Sequence, residues 1–196
     1  MVKFQDFESR SKFVEYVRQQ DEIIQERYGL HPCYQIGMVV QDLEEADAFM
    51  MTQGNPPSMK TQLIAAPWIE GGQEKDYGLK AGLVYNDGYE YELIEPFPGS
   101  DLHSRYIEAD GAIVFHHVNY AVKDIDYWTA RLATQGVKLA AKGKTKVGPL
   151  KAEFAYFDTV DEFGIILELA SFKLFGINIT PMPSMINAIG RWQHKL

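Results

Sequence analysis

The chain has 196 residues, of which 46% are hydrophobic and 23% are charged, and its formal net charge at pH 7 is −8. These values are typical of one large globular domain or two fused small modules. A chain of this length can bury a core without disulfides or a structural metal. The negative charge argues against binding to nucleic acid or to an anionic membrane surface, because both require a basic face.

Cysteine content and the N-terminus bear on the compartment. Cys33 is the single cysteine, so neither an internal disulfide nor a thiolate metal cluster can form. The first residues lack the basic region followed by an apolar run that is typical of secretory signals. No stretch approaches the about 18 apolar residues of a membrane span. These features predict a cytoplasmic protein.

The predicted elements begin with a helix over 7–28, where apolar residues recur at helical spacing, and Gly29 ends it. A strand follows over 34–40. The sequence Asp42-Leu43-Glu44-Glu45 has the form of a capping box, which begins a second helix that ends before Gly54. Three more strands are predicted in this half, at 61–66, 79–85 and 89–95.

The same order then repeats. A strand over 115–122 precedes a helix that Asp124 caps and Gly136 ends. Three strands follow, at 137–141, 151–157 and 164–170, with a Gly/Lys-rich loop at 142–149 and a helical segment near 184–193. When 35–43 is laid against 117–125, the helix-capping aspartates fall in register, which indicates an internal repeat.

We therefore predict an α+β fold built from two tandem βαβββ modules. The predicted boundaries are an N-terminal helical extension at 1–33, a first module at 34–110, a second module at 111–171 and a C-terminal tail at 172–196.

Strand alternation places four metal-compatible side chains on one face of the predicted sheet. They are Gln35 and Glu92 in the first module, and His117 and Glu168 at the matching places in the second. Their neighbours on that face, which include Gly37 and Phe115, are mostly apolar, as in a pocket. A face open to water and a buried structural role for His117 remain the alternatives. His116 is interpreted as structural, on the opposite face.

Three segments resemble a known family. They are Tyr91-Glu92-Leu93-Ile94-Glu95-Pro96, then Phe115-His116-His117-Val118-Asn119-Tyr120-Ala121-Val122-Lys123-Asp124-Ile125, with the closing Ile166-Leu167-Glu168-Leu169. All three are similar to the vicinal oxygen chelate superfamily. Its members include glyoxalase I, methylmalonyl-CoA epimerase, extradiol dioxygenases and bleomycin-resistance proteins. The resemblance covers roughly 34–171. It implies a cupped eight-stranded mixed sheet with a metal on its concave face, held from the first and fourth strands of each module.

The resemblance makes Gln35, Glu92, His117 and Glu168 the metal ligands. Oxygen-rich ligands with one imidazole suit a six-coordinate divalent ion, which could be Zn, Ni, Co, Mn or Fe. The family chemistry is then isomerisation, epimerisation or lyase chemistry through a metal-bound enolate. Glu168 is the first candidate for the catalytic base and Glu92 the second.

The sequence lacks residues that several known activities of this family require. The positions where glyoxalase I holds the carboxylates of glutathione are Val39, Pro96 and Ile113, which cannot pair with an anion. The strand at 79–85 has no carboxylate to match the second base of the CoA epimerases. Extradiol dioxygenases need two histidines and one glutamate from one half, whereas the second half offers His117 and Glu168 and its strand at 151–157 has no histidine.

Two classes of function therefore remain. The first is a glyoxalase-like metalloenzyme acting on a small hydrophobic oxygenated molecule, without glutathione. The second is a metal-free binding or resistance protein of the same superfamily, and a ring-cleaving dioxygenase comes third. In each case the partner is a small molecule, and the site lies within one chain or is shared in a possible homodimer.

Overall fold

The computed structural model describes residues 1–179 and 183–195, so residues 180–182 and 196 of the predicted tail lie outside it. Within these ranges the helices are α1 (Arg10–Tyr28), α2 (Leu43–Thr52), α3 (Asp101–Ser104), α4 (Ile125–Thr134), α5 (Val160–Phe163) and α6 (Pro183–Gln193). The strands are β1 (Gln35–Val39), β2 (Met59–Ile64), β3 (Trp68–Glu70), β4 (Gln73–Glu74), β5 (Gly78–Asn86), β6 (Tyr89–Pro96), β7 (Val114–Ala121), β8 (Lys138–Val147), β9 (Leu150–Asp158), β10 (Ile166–Leu174) and β11 (Ile177–Asn178).

The strands form one curled mixed sheet in the order β2-β5-β6-β1-β7-β10-β9-β8-β3-β4, with β11 on β10. β1 pairs in parallel with β6, and β7 pairs in parallel with β10, while β1 and β7 join the two modules as antiparallel neighbours. The predicted α+β fold of two βαβββ units in a cupped mixed sheet is therefore confirmed. The exact module boundaries stay a prediction.

Helix starts follow the capping residues. The side chains of Asp42 and Asp124 accept hydrogen bonds from the backbone N–H groups of Glu45 and Tyr127, at 3.0 and 2.9 Å. An N-cap aspartate satisfies an amide that the first turn leaves free, so both module helices begin immediately after it. No helix within the described ranges is long and apolar enough to cross a membrane.

The described strands number eleven, three more than expected. The eight predicted strands are present, and β3, β4 and β11 are additional. The Gly/Lys-rich segment 142–149 is mostly strand, contrary to prediction, because β8 continues to Val147 against β9. Two of its lysines pair with acids on neighbouring elements, Lys142 with Asp126 and Lys144 with Glu153, both at 3.0 Å. Composition alone therefore gave the wrong structure for this segment.

The two edges of the sheet meet. β2 lies at one edge and β3 near the other, although only residues 65–67 separate them. The Thr145 hydroxyl donates to the Ile64 carbonyl at 2.8 Å, and the Ala66 N–H donates to the Lys144 carbonyl at 2.9 Å. Trp68 packs directly on Gly143, where an added Cβ would overlap the indole ring. The first module therefore contacts the second where the two edges meet, as well as along β1 and β7 in the middle of the sheet.

Apolar side chains fill the space between the convex face of the sheet and the helices. α1 contributes Phe13, Val17 and Ile24, and β1 contributes Ile36 and Met38; each is fully buried. Because successive strand residues alternate between faces, Gln35 and Gly37 then lie on the concave side. The core thus fixes which residues face the cavity.

Candidate functional site

Gly37 lies at the centre of the concave face. It is in register with Glu92 on β6 and with His117 on β7, so β1 runs between these two residues. A Cβ at position 37 would overlap the imidazole ring of His117. Because glycine has no side chain, the ring leans across β1 toward Glu92. The two side chains can then meet over a strand that would otherwise separate them.

Three of the four predicted ligands converge within one chain. His117 Nε2 lies 2.9 Å from Glu168 Oε2 and 3.7 Å from Glu92 Oε2. His117 and Glu168 are buried, and neither His117 Nε2 nor Glu168 Oε2 makes an aligned hydrogen bond within the described residues. These atoms therefore point toward shared space more than directly at each other.

Gln35 lines the same cavity, but hydrogen bonds hold its side-chain amide. Its Nε2 donates to Glu90 Oε1 at 2.7 Å, and its Oε1 accepts from Asn119 Nδ2 at 2.8 Å. All three side chains are buried. An amide oxygen has two lone pairs, so Gln35 Oε1 retains one for a further partner.

Acidic side chains dominate the electrostatics of this site. Burial alone would lower the pKa of His117, but Glu168 and Glu92 outweigh it and raise that pKa to about 9. Burial raises the pKa of Glu168, against the opposing charge of His117. Burial also raises the pKa of Glu90 to about 7, with a further contribution from Glu92. Two carboxyl groups thus flank one imidazole, and that of Glu90 lies near Glu92 on the same face, an excess of acidic groups that favours a bound cation.

A cavity of about 250 Å³ opens above these groups. Its floor includes Gln35, Glu90, Glu92 and Glu168, and none of the described lining residues is a lysine or arginine. Its walls are mainly apolar and come from both modules and from α6; they include Leu63, Leu83, Phe154, Phe172, Met185 and Ile186. The shape and lining suit a small molecule that carries no negative charge.

α6 closes one side of the cavity and is held by two amide side chains. Asn187 donates to and accepts from the backbone of Tyr85, both at 2.8 Å. Gln193 makes the same two contacts with the backbone of Lys60, at 2.7 and 3.1 Å. Between them, Gly190 lies against residues 57–59 so closely that a Cβ would overlap the Pro57 carbonyl. The predicted tail helix is thus present and docked on the sheet.

Because of a β-bulge in β7, two side chains lie on faces of the sheet other than those predicted. The pairing with β1 shifts so that Met38 opposes Phe115 while Gly37 opposes His117. Phe115 therefore packs in the core, with its ring centroid 5.4 Å from that of Phe13, and does not line the pocket. His116 lies beside His117, not on the opposite face, because a bulge places one extra residue on its strand and breaks the alternation.

A family model matches residues 34–156, and its description is Glyoxalase/Bleomycin resistance protein/Dioxygenase superfamily. The chain belongs to this superfamily. The resemblance to the vicinal oxygen chelate proteins is thereby confirmed. No curated protein matches this glyoxalase-superfamily chain.

Solved structures that are partly similar to this chain include two methylmalonyl-CoA epimerases. The Streptomyces coelicolor enzyme in complex with 2-nitronate-propionyl-CoA is 19% identical, with a TM-score of 0.47 over 72% of this chain and 96% of that chain. The Mycobacterium tuberculosis enzyme is 20% identical, with a TM-score of 0.46 over 70% and 85%. A variant of 4-hydroxymandelate synthase from Streptomyces coelicolor is 15% identical, with a TM-score of 0.47 over 82% and 55%. At these scores the likeness carries no information about activity.

The donor atoms in this superfamily member fit a divalent ion. Glu92, His117 and Glu168 each offer one ligand atom, and these atoms lie within 4.8 Å of one another. Ligand atoms bound to one ion at about 2.1 Å lie about 3 Å apart, close to the 2.9 Å between His117 and Glu168. Imidazole and carboxylate donors suit Zn, Ni, Co, Mn and Fe alike, so the donor set leaves the metal unspecified.

Sequence reasoning gave no role to several residues of this site. Glu90 lies two residues before Glu92, and Asn119 lies two residues after His117, so alternation already placed both on the site face. Their hydrogen bonds to Gln35 depend on the register of three strands, which no single segment encodes. The role of Gly37 likewise depends on a ring from the neighbouring strand.

Proposed function

We propose that this chain is a metal-dependent isomerase, epimerase or lyase that acts on a small, uncharged, hydrophobic molecule with adjacent oxygen atoms. Glu92, His117 and Glu168 would hold one divalent ion, with Gln35 as the fourth ligand. The observation that carries the proposal is the convergence of His117 Nε2 and Glu168 Oε2, which are buried and make no aligned hydrogen bond, with Glu92. Glu92 and Glu168 also line the floor of an apolar cavity.

The chemistry divides between the ion and the chain. A bound divalent ion supplies polarisation of a substrate carbonyl, which makes the neighbouring C–H group more acidic. Glu168 takes that proton in the proposal, because burial raises its pKa and so makes its carboxylate a stronger base. Glu92, on the other side of His117, is the second candidate for this role.

The cavity lining supports the choice of substrate class. Its described residues offer no lysine or arginine to a phosphate or carboxylate, while its walls are apolar. The volume of about 250 Å³ lies just below the range typical of drug-sized ligands. A CoA ester or glutathione would therefore bring unpaired charge into this cavity, whereas a neutral aromatic or aliphatic molecule would not.

The three converging residues come from both modules of the same chain, so a site within one chain is the arrangement we propose. A homodimer and a cytoplasmic location stay predictions.

Metal content is the first test. Protein purified without chelator or metal-affinity resin is expected to contain about one divalent ion per chain, and the His117→Ala variant to contain none. At about 1,000 times the dissociation constant, an ion adds about 4 kcal/mol of stability. For a chain of this size, the melting temperature should then rise by about 10 °C in the wild type only.

Absence of metal, even after reloading with zinc, nickel, cobalt, manganese and iron, would contradict the proposal. A metal-free binding or resistance protein would then be the better-supported hypothesis for its function. A ring-cleaving dioxygenase is only the third candidate, because it needs two histidines and one glutamate as ligands. The converging residues here are one histidine and two glutamates.

The proposed base is tested by Glu168→Gln, which keeps the shape and an oxygen donor but removes the charge. The probe is exchange of the carbon-bound hydrogen of 2-hydroxyacetophenone in D2O, followed by NMR with metal in excess. We expect the variant to exchange this hydrogen at least about 100-fold more slowly than the wild type. The variant should still show the melting transition of a folded protein. Full exchange by the metal-loaded variant would exclude Glu168 and transfer the role to Glu92.

A further inference from the structure

A second buried imidazole contacts His117 on the side away from the carboxylates. His116 Nδ1 lies 2.9 Å from His117 Nδ1, and His116 Nε2 lies 3.1 Å from the carbonyl oxygen of Leu102. Both histidines are fully buried. The bulge in β7 makes this contact possible, because in a regular strand residues 116 and 117 would point to opposite faces.

The proton positions follow from the acceptors. A carbonyl oxygen can only accept a hydrogen bond, so His116 Nε2 must carry a hydrogen and donate it to Leu102. No carboxylate contacts His116 among the described residues, and a buried imidazole without such a partner is neutral. Its Nδ1 then has a lone pair and no hydrogen. The hydrogen between the two rings therefore belongs to His117 Nδ1, which donates to His116.

This arrangement leaves one nitrogen of His117 for the site. With Nδ1 committed to His116, Nε2 is the atom that faces Glu168 and Glu92. Histidines that bind metals commonly donate their other ring N–H to a carboxylate or a carbonyl, which fixes the tautomer and the ring orientation. Here the neutral imidazole of His116 is the acceptor of that N–H group. The carbonyl of Leu102 in turn fixes the His116 ring by accepting a hydrogen bond from it.

We propose that His116 is a positioning residue, which holds His117 with Nδ1 protonated and Nε2 directed at the metal. The inference rests on the proposed function only in taking His117 as a ligand. Leu102 belongs to α3, in the segment that joins the two modules. The orientation of the ligand therefore depends on this connecting segment as well as on the sheet.

NMR of metal-free protein labelled with 15N tests the proton positions directly. Long-range 1H–15N correlations of the imidazole rings, recorded above the His117 pKa of about 9 so that this ring keeps one proton, should show His117 protonated at Nδ1 alone. His116 should be protonated at Nε2 and unprotonated at Nδ1. The reverse pattern at His116 would overturn the inference. This measurement does not require that the protein bind a metal.

Zinc affinity tests the consequence. His116→Phe removes the acceptor, and we expect zinc to bind about 10- to 100-fold more weakly, as measured by competition with a chromophoric chelator. His116→Gln restores a side-chain oxygen acceptor and should recover most of the loss. The matched control is His103→Phe, because His103 packs on His116, with ring centroids 4.6 Å apart, but has no hydrogen bond to His117. This control should bind zinc like the wild type.

The outcomes separate the two proposals. If the wild type binds zinc and His116→Phe binds it equally well, the positioning role fails and the proposed function stands. If the wild type binds no zinc, the proposed function fails, and the NMR pattern alone decides whether His116 fixes the proton on His117. If both histidine variants lose zinc equally, the effect is general loosening of the site and the inference is overturned.

Discussion

Replacing Gly37 with alanine is expected to weaken metal binding severely. The added Cβ would overlap the His117 ring, so the imidazole must leave the position from which Nε2 reaches Glu92 and Glu168. The clash is with a ring enclosed in a packed site, and overpacking of this kind costs about 1–3 kcal/mol. Because the displaced group is itself a proposed ligand, we expect zinc affinity to fall by about 100-fold or more.

Gly143→Ala is the matched control for this substitution. Gly143 is also a buried strand glycine, and its added Cβ would overlap a ring, but that ring is Trp68. Both variants should lower the free energy of unfolding in urea by similar amounts, whereas isothermal titration with zinc should show a loss only for Gly37→Ala. Equal zinc affinity in the two variants would contradict the placement of His117 at the metal.

Replacing Gly190 with valine is expected to release α6 from the sheet. The side chain would run into the backbone of residues 57–59, so the helix must move outward. The hydrogen bonds of Asn187 to Tyr85 and of Gln193 to Lys60 would then lengthen together. The reason is that Asn187 and Gln193 lie on the same face of the helix as residue 190. Amide hydrogen exchange in 183–193, followed by mass spectrometry, should become about tenfold faster or more, as a loss of roughly 1–3 kcal/mol implies.

Ala188→Val is the control on the same helix. Ala188 is exposed, so the substitution brings a β-branched residue into the helix without a clash. Its exchange in 183–193 should stay close to that of the wild type. If Gly190→Val exchanges as slowly as this control, α6 is not held by close approach at Gly190, and the cavity wall does not depend on it.

Local signals in the sequence sufficed for the repeat and for most of the site. Aspartate caps marked the start of both module helices, and period-two alternation placed Gln35, Glu92 and Glu168 on the concave face. These features depend on residues a few positions apart. Each strand therefore carries enough information to orient its own side chains.

The remaining features depend on partners distant in the chain. The bulge that turns His116 toward His117 is a property of how β7 pairs with β1. The strand at Trp68–Glu70 exists because β8 offers it an edge, and β8 is itself longer than its composition suggests. Sequence patterns predict which face a residue prefers, but they do not report where a neighbouring strand gains or loses a residue.

The short connection at residues 65–67 has a consequence for how the protein unfolds. It carries the first module from one edge of the sheet to the other, where β3 pairs with β8. The two modules are therefore joined along two seams, β1 with β7 and β3 with β8, and loss of either module removes a partner at both. We therefore expect the two units of the repeat to unfold together in one cooperative transition.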